Sequence, residues 1–364
     1  MIHSYSIHTY KEVAMKRNKK QLDNQVIATF IRQLGLVLDS DLPINSGLEV
    51  IRTKADHPKL ISIIQVLQDD IKEGYSLSES IKKFEDELTP FVVNMIELGE
   101  KSGSLSGVMN QIADAIEKEI EIREKVRSAL AYPVILSLLM LGVIILLVVK
   151  VMPTFNEILN SLGGEMPAFT QGMMNFSEFI GQNIIVIVSV VVALIAAYLW
   201  YRNTEKGAFR IDKLKFSMPI QKDIIAALMG AKFSRNLSIL LKSGFSFSIA
   251  LEMLKPVMNN LYMTSLIDNA IERLKEGESL ADVIANFNIF PGVMIRLFSV
   301  AQQTGHMDKM LEKVALEMEK EADSKLESIA TVLEPLLIII LSILVGVILV
   351  SVILPIINIL NAIG

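Results

Sequence analysis

The chain has 364 residues, of which 51% are hydrophobic and 21% charged, with a mean hydropathy of +0.45. That is too apolar for an ordinary soluble protein and too charged for one sunk wholly in lipid, so the two kinds of residue must be segregated along the sequence. With no cysteine, disulfides, thiol nucleophiles and Cys-ligated metals are excluded, and a net charge of −5 gives no reason to expect nucleic acid as a partner.

Residues 1–21 form a polar tail with Lys11, Lys16, Arg17, Lys19 and Lys20. It reads either as a solvated segment or as a contact for anionic lipid or an acidic partner. It has no apolar core of signal-peptide length, so the first membrane span is expected to serve as its own insertion signal. From residue 22 to 132 the pattern is that of short amphipathic helices: Val26, Phe30, Leu34, Val37 and Leu38 recur at helical spacing. Pro43, Pro58, Gly74 and Pro90 stand at turn-like positions, and Ser76 followed by Glu79 makes a capping box. A last helix starts near Leu105 and meets no breaker before Pro133, so it is expected to continue into the membrane.

The stretch 133–153 is apolar, bounded by Pro133 and Pro153, with Lys150 its only charge. At 1.5 Å per helical residue it just crosses a ~30 Å hydrocarbon core. A segment without Lys or Arg follows, 154–178, then a second span, 179–201, ending in Tyr198, Trp200 and Tyr201, and at once the cluster Arg202, Lys206, Arg210, Lys213 and Lys215. A second helical domain occupies 202–334 and a third span 335–361. Cations before the first span and after the second place both helical domains and the N-terminus in the cytoplasm. The 154–178 loop and the C-terminus are then exported.

The chain repeats itself. Pro133 and Pro153 return as Pro335 and Pro355, a displacement of 202 positions in both cases. Phe30-x-Arg32-x-Leu34 returns as Phe233-x-Arg235-x-Leu237, and Glu73-Gly74-x-Ser76-Leu77 as Glu276-Gly277-x-Ser279-Leu280, both displaced by 203. Glu117-Lys118-Glu119 returns as Glu319-Lys320-Glu321, displaced by 202. One deletion in about a hundred residues marks an internal duplication. The expected fold is an all-α membrane protein with two duplicated helical-bundle domains and three transmembrane helices.

Residues that carry chemistry are scarce. Gly99-Glu100-Lys101-Ser102-Gly103 resembles a phosphate loop but lacks the G-x-x-x-x-G-K-[ST] spacing and follows a helix pattern rather than a strand. It reads as a helix–helix turn, with Gly103 at positive φ and Ser104 capping the next helix. The second copy keeps Gly305 but has Ala301-Gln302 for Gly99-Glu100, so the turn survives without the carboxylate. The histidines His3, His8, His57 and His306 show no ligand spacing and default to the surface. Glu97 and Glu100 read as a solvated helix face, or as a divalent-cation contact at a subunit interface. Ser342 and Gly346 permit close helix approach in the third span or face lipid. No cofactor, metal site or catalytic residue is indicated. A transporter is disfavoured by the near absence of intramembrane charge, and an enzyme by the lack of convergent titratable groups.

The ordered, duplicated set of F-x-R-x-L, a [SD]-[GD] turn, E-G-x-S-L, G-E-x-S-G and a Y-P or E-P entrance to a span resembles the PilC/GspF family. These are inner-membrane platform proteins of type IV pilus and type II secretion machines, and the likeness covers about residues 22–360. The resemblance implies a non-enzymatic, oligomeric assembly platform in the bacterial inner membrane. Its expected partners are a hexameric motor ATPase, pilin or pseudopilin subunits and other inner-membrane assembly proteins. The family positions are Gly99, Glu100, Gly103, Tyr132, Pro133, Pro153, Gly244, Gly305, Glu334, Pro335 and Pro355; Glu97, Glu100, Arg123, Lys125 and Arg127 are candidate partner contacts. Ser40-Asp41 replaces the Ser243-Gly244 turn in the first copy, and Ala301-Gln302 departs in the second. Aspartate tolerates left-handed backbone well enough to keep such a turn.

Overall fold

The computed structural model describes residues 21–146 other than 41, residues 182–363 other than 220 and 305, and single positions between 150 and 179. The basic tail, most of the 154–178 segment, Asp41 and Gly305 lie outside the described residues. All regular structure among the described residues is helical. The chain divides into two units, one holding residues up to Lys125 with Arg202–Lys325, the other Val126–Tyr201 with Leu326 onward.

In the first unit the duplication is visible helix by helix. The first repeat has α1 (Asn24–Asp39), α2 (Ile44–Lys54), α3 (Pro58–Glu73), α4 (Leu77–Lys82), α5 (Glu85–Leu88), α6 (Pro90–Lys101) and the start of α7 (Leu105–Leu146). After α8 (Ile184–Arg202) and α9 (Glu205–Lys215), the second repeat has α10 (Lys222–Lys242), α11 (Phe247–Met258), α12 (Leu261–Lys275), α13 (Leu280–Ala285), α14 (Gly292–Thr304) and the start of α15 (Met307–Ile363). Helix starts 44, 58 and 77 return at 247, 261 and 280, displaced by 203; the start at 105 returns at 307, displaced by 202. Neighbours match too: α1·α2, α2·α3, α3·α4 and α4·α6 in one repeat correspond to α10·α11, α11·α12, α12·α13 and α13·α14 in the other.

Local sequence dictates these boundaries. Pro58 and Pro90 sit at the first turns of α3 and α6, where a missing N–H costs nothing. Gly74 closes α3 with φ +96°, and Gly277 follows α12 at φ +93°, a backbone that side chains with a Cβ resist. The capping box at Ser76 and Glu79 is present, with both reciprocal bonds formed. Phe30 and Leu34, with Phe233 and Leu237, are fully buried, so the apolar ends of both F-x-R-x-L motifs are core residues.

The second unit shows the opposite burial. Val134, Ile135, Leu138, Leu139, Ile145 and Leu146 on α7 are exposed, as are Ile338, Ile339, Ile343, Leu349 and Val350 on α15. Each such side chain left in water forgoes roughly 1.5–3 kcal/mol, so a bilayer is the solvent these helices need. Among the described residues three helices meet the length and hydropathy expected of a span: α7, α10 and α15. In α10, however, 61% of the most apolar window is buried inside the first unit, against 6% in α7 and 7% in α15. Helix α10 is thus a core helix of the second repeat. Its place among the candidate spans goes to α8, which has no charge before Arg202 and exposes Ile185, Leu194 and Trp200. The protein is an all-α membrane protein with three candidate membrane-spanning helices.

The prolines of the first and third spans lie inside helices: α15 runs on through Pro335 and Pro355 to Ile363, and α7 runs through Pro133. A proline inside a helix removes one backbone bond but need not end it, least of all in a membrane helix, where neighbouring groups meet the freed carbonyl.

Candidate functional site

The motifs of the first repeat converge on one junction. Helix α6 ends at Lys101, Gly103 adopts φ +68°, and α7 begins two residues later. The Ser104 amide donates to the Gly99 carbonyl at 2.9 Å and the Gly103 amide to the Glu100 carbonyl at 3.2 Å, which closes the helix end. A Cβ on Gly99 would come within 3.1 Å of the Leu105 Cα, so the glycine lets α6 and α7 meet closely. The turn is as the sequence predicts, except that the Ser104 hydroxyl pairs with that of Ser102 at 2.7 Å. It is the Ser104 carbonyl that accepts the Val108 amide, at 3.1 Å.

Glu100 is not on a solvated face. Its carboxylate accepts the amides of Leu77 at 2.9 Å and Ser78 at 3.1 Å, together with the Ser78 hydroxyl. These are the orphan donors at the start of α4, so Glu100 holds that helix N-terminus as a long-range cap. Burial pushes its carboxyl up, but the bonds from Ser78 and Leu77 outweigh burial and hold it below the ordinary carboxylate value. Glu97, by contrast, is half-buried and pairs with Lys101, which lowers its pKa. The second repeat keeps the junction with neutral chemistry: Gln302 Oε1 accepts the Ala281 amide of α13 at 2.9 Å. The buried Ala301 stands where Gly99 does.

The arginine of F-x-R-x-L is the second convergence. Arg32 on α1 donates to Glu117 at 3.1 and 2.8 Å, to Asn110 at 3.2 Å and to Asp114, all on α7. Bonds to Glu117 and Asp114, opposed by partial burial, raise its already high pKa. Arg235 repeats the contact, donating to Glu319 on α15 at 3.0 Å. Both elements of this pair recur in the sequence at matching displacements, a signal that could have revealed the contact. Ion pairs also join the repeats: Lys232 to Glu119 at 2.8 Å, Lys118 to Glu319 at 3.7 Å and Lys125 to Asp323 at 2.9 Å.

Of the cations singled out as partner contacts, Lys125 is thus engaged within the chain. Arg123 lies 3.6 Å from Glu119 on its own helix, and Arg127 is exposed. Tyr132 is exposed, whereas Pro133 is buried, and the Ser137 hydroxyl donates to the Pro133 carbonyl at 2.7 Å. Glu334, the exposed Pro335 and Pro355 all belong to α15, and Pro153 is helical. Gly244 follows α10 at φ +89°. Ser342 is exposed and a Cβ on Gly346 would meet nothing within 4 Å, so neither makes a close helix approach within this chain. His57 is half-buried, with an unpartnered buried Nδ1, rather than solvated; His306 is exposed. Among the described residues no cluster of three or more His, Cys, Asp or Glu could hold a metal.

This geometry orders helices around repeated motifs, and the motifs have relatives. Residues 30–153 and 233–355 each match the family model described as type II secretion system (T2SS), protein F. The chain belongs to that family. It is 31% identical to the type IV pilus assembly protein PilC of Thermus thermophilus, over 93% of this chain and 83% of the relative. It is 26% identical to PilC of Pseudomonas aeruginosa, over 97% and 95%. The type II secretion system protein F of Aeromonas hydrophila is 28% identical, over 93% and 87%.

Proposed function

We propose that this protein is the inner-membrane platform of a type IV pilus machine, coupling a hexameric cytoplasmic motor ATPase to the insertion of pilin subunits into a fibre. The observation that carries the reading is the continuity of α7 and α15. Each begins among buried residues of a repeat, Val108 and Ile112 in one and Leu311 and Val314 in the other. Each then runs without a break into an apolar stretch, over 42 and 57 residues, or roughly 63 and 85 Å. Motion imposed on a repeat by a motor passes along such a helix into the apolar stretch. Pro133 and Pro335 act as pivots, because each leaves one carbonyl of the preceding turn without its helical donor. Other inner-membrane assembly proteins and further copies of the chain complete the platform.

In this reading residues 22–132 and 202–334 are cytoplasmic, 133–153, 179–201 and 335–361 span the membrane, and 154–178 is exported. Cysteines at Ser161 and Ser328 of the cysteine-free chain, labelled in intact cells with an impermeant thiol reagent, test that topology. Labelling at Ser328 but not at Ser161 reverses it. A deletion strain is expected to keep pilins in its membrane and make no surface fibres, and the purified chain to hydrolyse no ATP. The Pro133→Ala/Pro335→Ala double variant should insert but fail in assembly; normal fibres would remove the pivot. The relatives named protein F support a second reading, the same platform in a type II secretion system. A deletion strain that loses a secreted enzyme but keeps its pili selects it.

A further inference from the structure

Helix α9 stands between the second candidate span and the matched helices of the second repeat. Only Asn203 and Thr204 separate it from α8, so its first residue lies within about 11 Å of the end of that helix whatever the intervening backbone does. The Thr204 side chain starts α9 by accepting the Gly207 amide at 3.1 Å. One face is docked. Ala208 and Asp212 are buried, and Asp212 accepts the Leu261 amide at 2.8 Å, capping α12, and Lys215 Nζ at 2.8 Å. Phe209 meets the Tyr262 ring edge-on at 5.8 Å.

The opposite face is basic. Lys206, Arg210 and Lys213 are spaced i, i+4 and i+7, which puts them on one side of the helix, and all three are exposed, with the Lys213 ammonium at the edge of that face, 5.6 Å from the centroid of the Tyr262 ring. Asp212, the acid in the middle of the helix, is spent on the docked face. Beside the cations, Leu214 is 55% exposed and Met218 46% exposed. Trp200 at the end of α8 is 72% exposed, and its indole suits the headgroup level.

We propose that this face of α9 is a binding site for anionic phospholipid headgroups. Lys206, Arg210 and Lys213 pair with the phosphodiester anions, and Leu214 and Met218 reach the acyl boundary. The charge matches, and a two-residue tether joins the start of α9 to the candidate span α8. Because α9 also caps α12 through Asp212, lipid held on one face is linked to the second repeat through the other.

The test uses the full cysteine-free chain with Leu214→Cys carrying an environment-sensitive fluorophore. It is placed in nanodiscs of phosphatidylcholine alone or of phosphatidylcholine with phosphatidylglycerol, each with a headgroup-level spin-labelled lipid. Quenching is expected to be stronger in the anionic discs, and the preference to drop about fivefold for each of Lys206→Gln and Lys213→Gln. Equal quenching in the two discs, or a preference that survives Lys206→Gln/Lys213→Gln, overturns the proposal and leaves a solvated or protein-binding face. A fluorophore at Leu194→Cys, with an acyl-chain spin label, should be quenched equally in both discs. Its failure would remove α8 as a span, and with it the tether, separately from the fate of the platform reading.

Discussion

At the start of α4 the first repeat places a carboxylate, Glu100, on two amides and a hydroxyl; at the start of α13 the second places the neutral amide of Gln302 on one amide. The arginine contacts differ in the reverse sense. Arg32 spreads over Asp114 and Glu117, whose side chains are 68% and 47% exposed, whereas Arg235 rests on Glu319, which is 9% exposed. The cores differ as well. Around Phe233 stand Phe287, Phe290 and Phe298 with ring centroids at 6.2, 5.7 and 6.2 Å; the matching positions of the first repeat hold Phe84, Leu88 and Ile96. A duplicated frame therefore tolerates exchange of charge for amide and of aliphatic for aromatic, provided each helix end and each buried cation keeps a partner.

The largest expected effect comes from the cores. Phe30→Ala and Phe233→Ala should each destabilise their own repeat by about 3–5 kcal/mol, read as loss of amide protection in α1 or α10 by hydrogen exchange. Replacement by Leu sharpens the comparison. Phe233→Leu also loses ring contacts worth about 0.5–1.5 kcal/mol and should cost more than Phe30→Leu. Equal costs would mean that the aromatic cluster is worth no more than its aliphatic counterpart.

Next comes the buried acid. Glu319→Gln leaves Arg235 half-desolvated without its anion and should cost about 3 kcal/mol. Glu117→Gln, in an exposed pair with Asp114 still present, should cost under about 1 kcal/mol. Chemical denaturation of the two variants side by side checks the ordering, and equal losses would erase the distinction between the two arginines.

The junction gives a smaller effect with a pH signature. Glu100→Gln copies the second repeat's chemistry and should weaken α4 by about 1–2 kcal/mol at neutral pH. Because the folded state holds the Glu100 carboxyl below its unfolded value, its contribution is fully present above about 4.5 and is lost as pH falls through the lower folded value. Protection of α4 should thus decline on acidification below 4.5 while that of α13, capped by an amide, stays flat. Parallel decline in both helices would show that the carboxylate is not the cause.

Much of this frame was legible before any coordinate. Duplication, helix type, glycine turns and apolar stretches all leave local or periodic marks, and the register of repeated motifs located the repeats. What was hidden is what depends on residues far apart in the chain. Glu100 looked like a free carboxylate because nothing near it in sequence asks for one; its donors are 22 and 23 positions away. Lys125 looked available for the same reason, since Asp323 is 198 positions distant.

The smallest effect concerns how the two repeats meet. Burial of the three ion pairs falls along α7, with side chains 26% and 9% exposed in Lys118–Glu319 and 45% and 40% in Lys125–Asp323. The outermost pair is worth about 0.2–1 kcal/mol by exposure alone. Lys125 has its pKa raised, by Asp323 first and Glu121 second, so Lys125→Glu sets like charges against both. Asp323→Lys in that background should recover about half a kcal/mol at low salt and less as the Debye length shortens. Recovery is incomplete by design, because Glu121, which pairs with Lys125 at 3.3 Å, stays on the same helix and repels the new glutamate. The pair has no mirror image. The positions matching Lys125 and Asp323 are Glu327 and Glu121, two acids, so the repeated frame is kept without this attraction being repeated. A double-mutant cycle with no coupling would move the hold between the repeats wholly to the more buried pairs at Lys118 and Lys232.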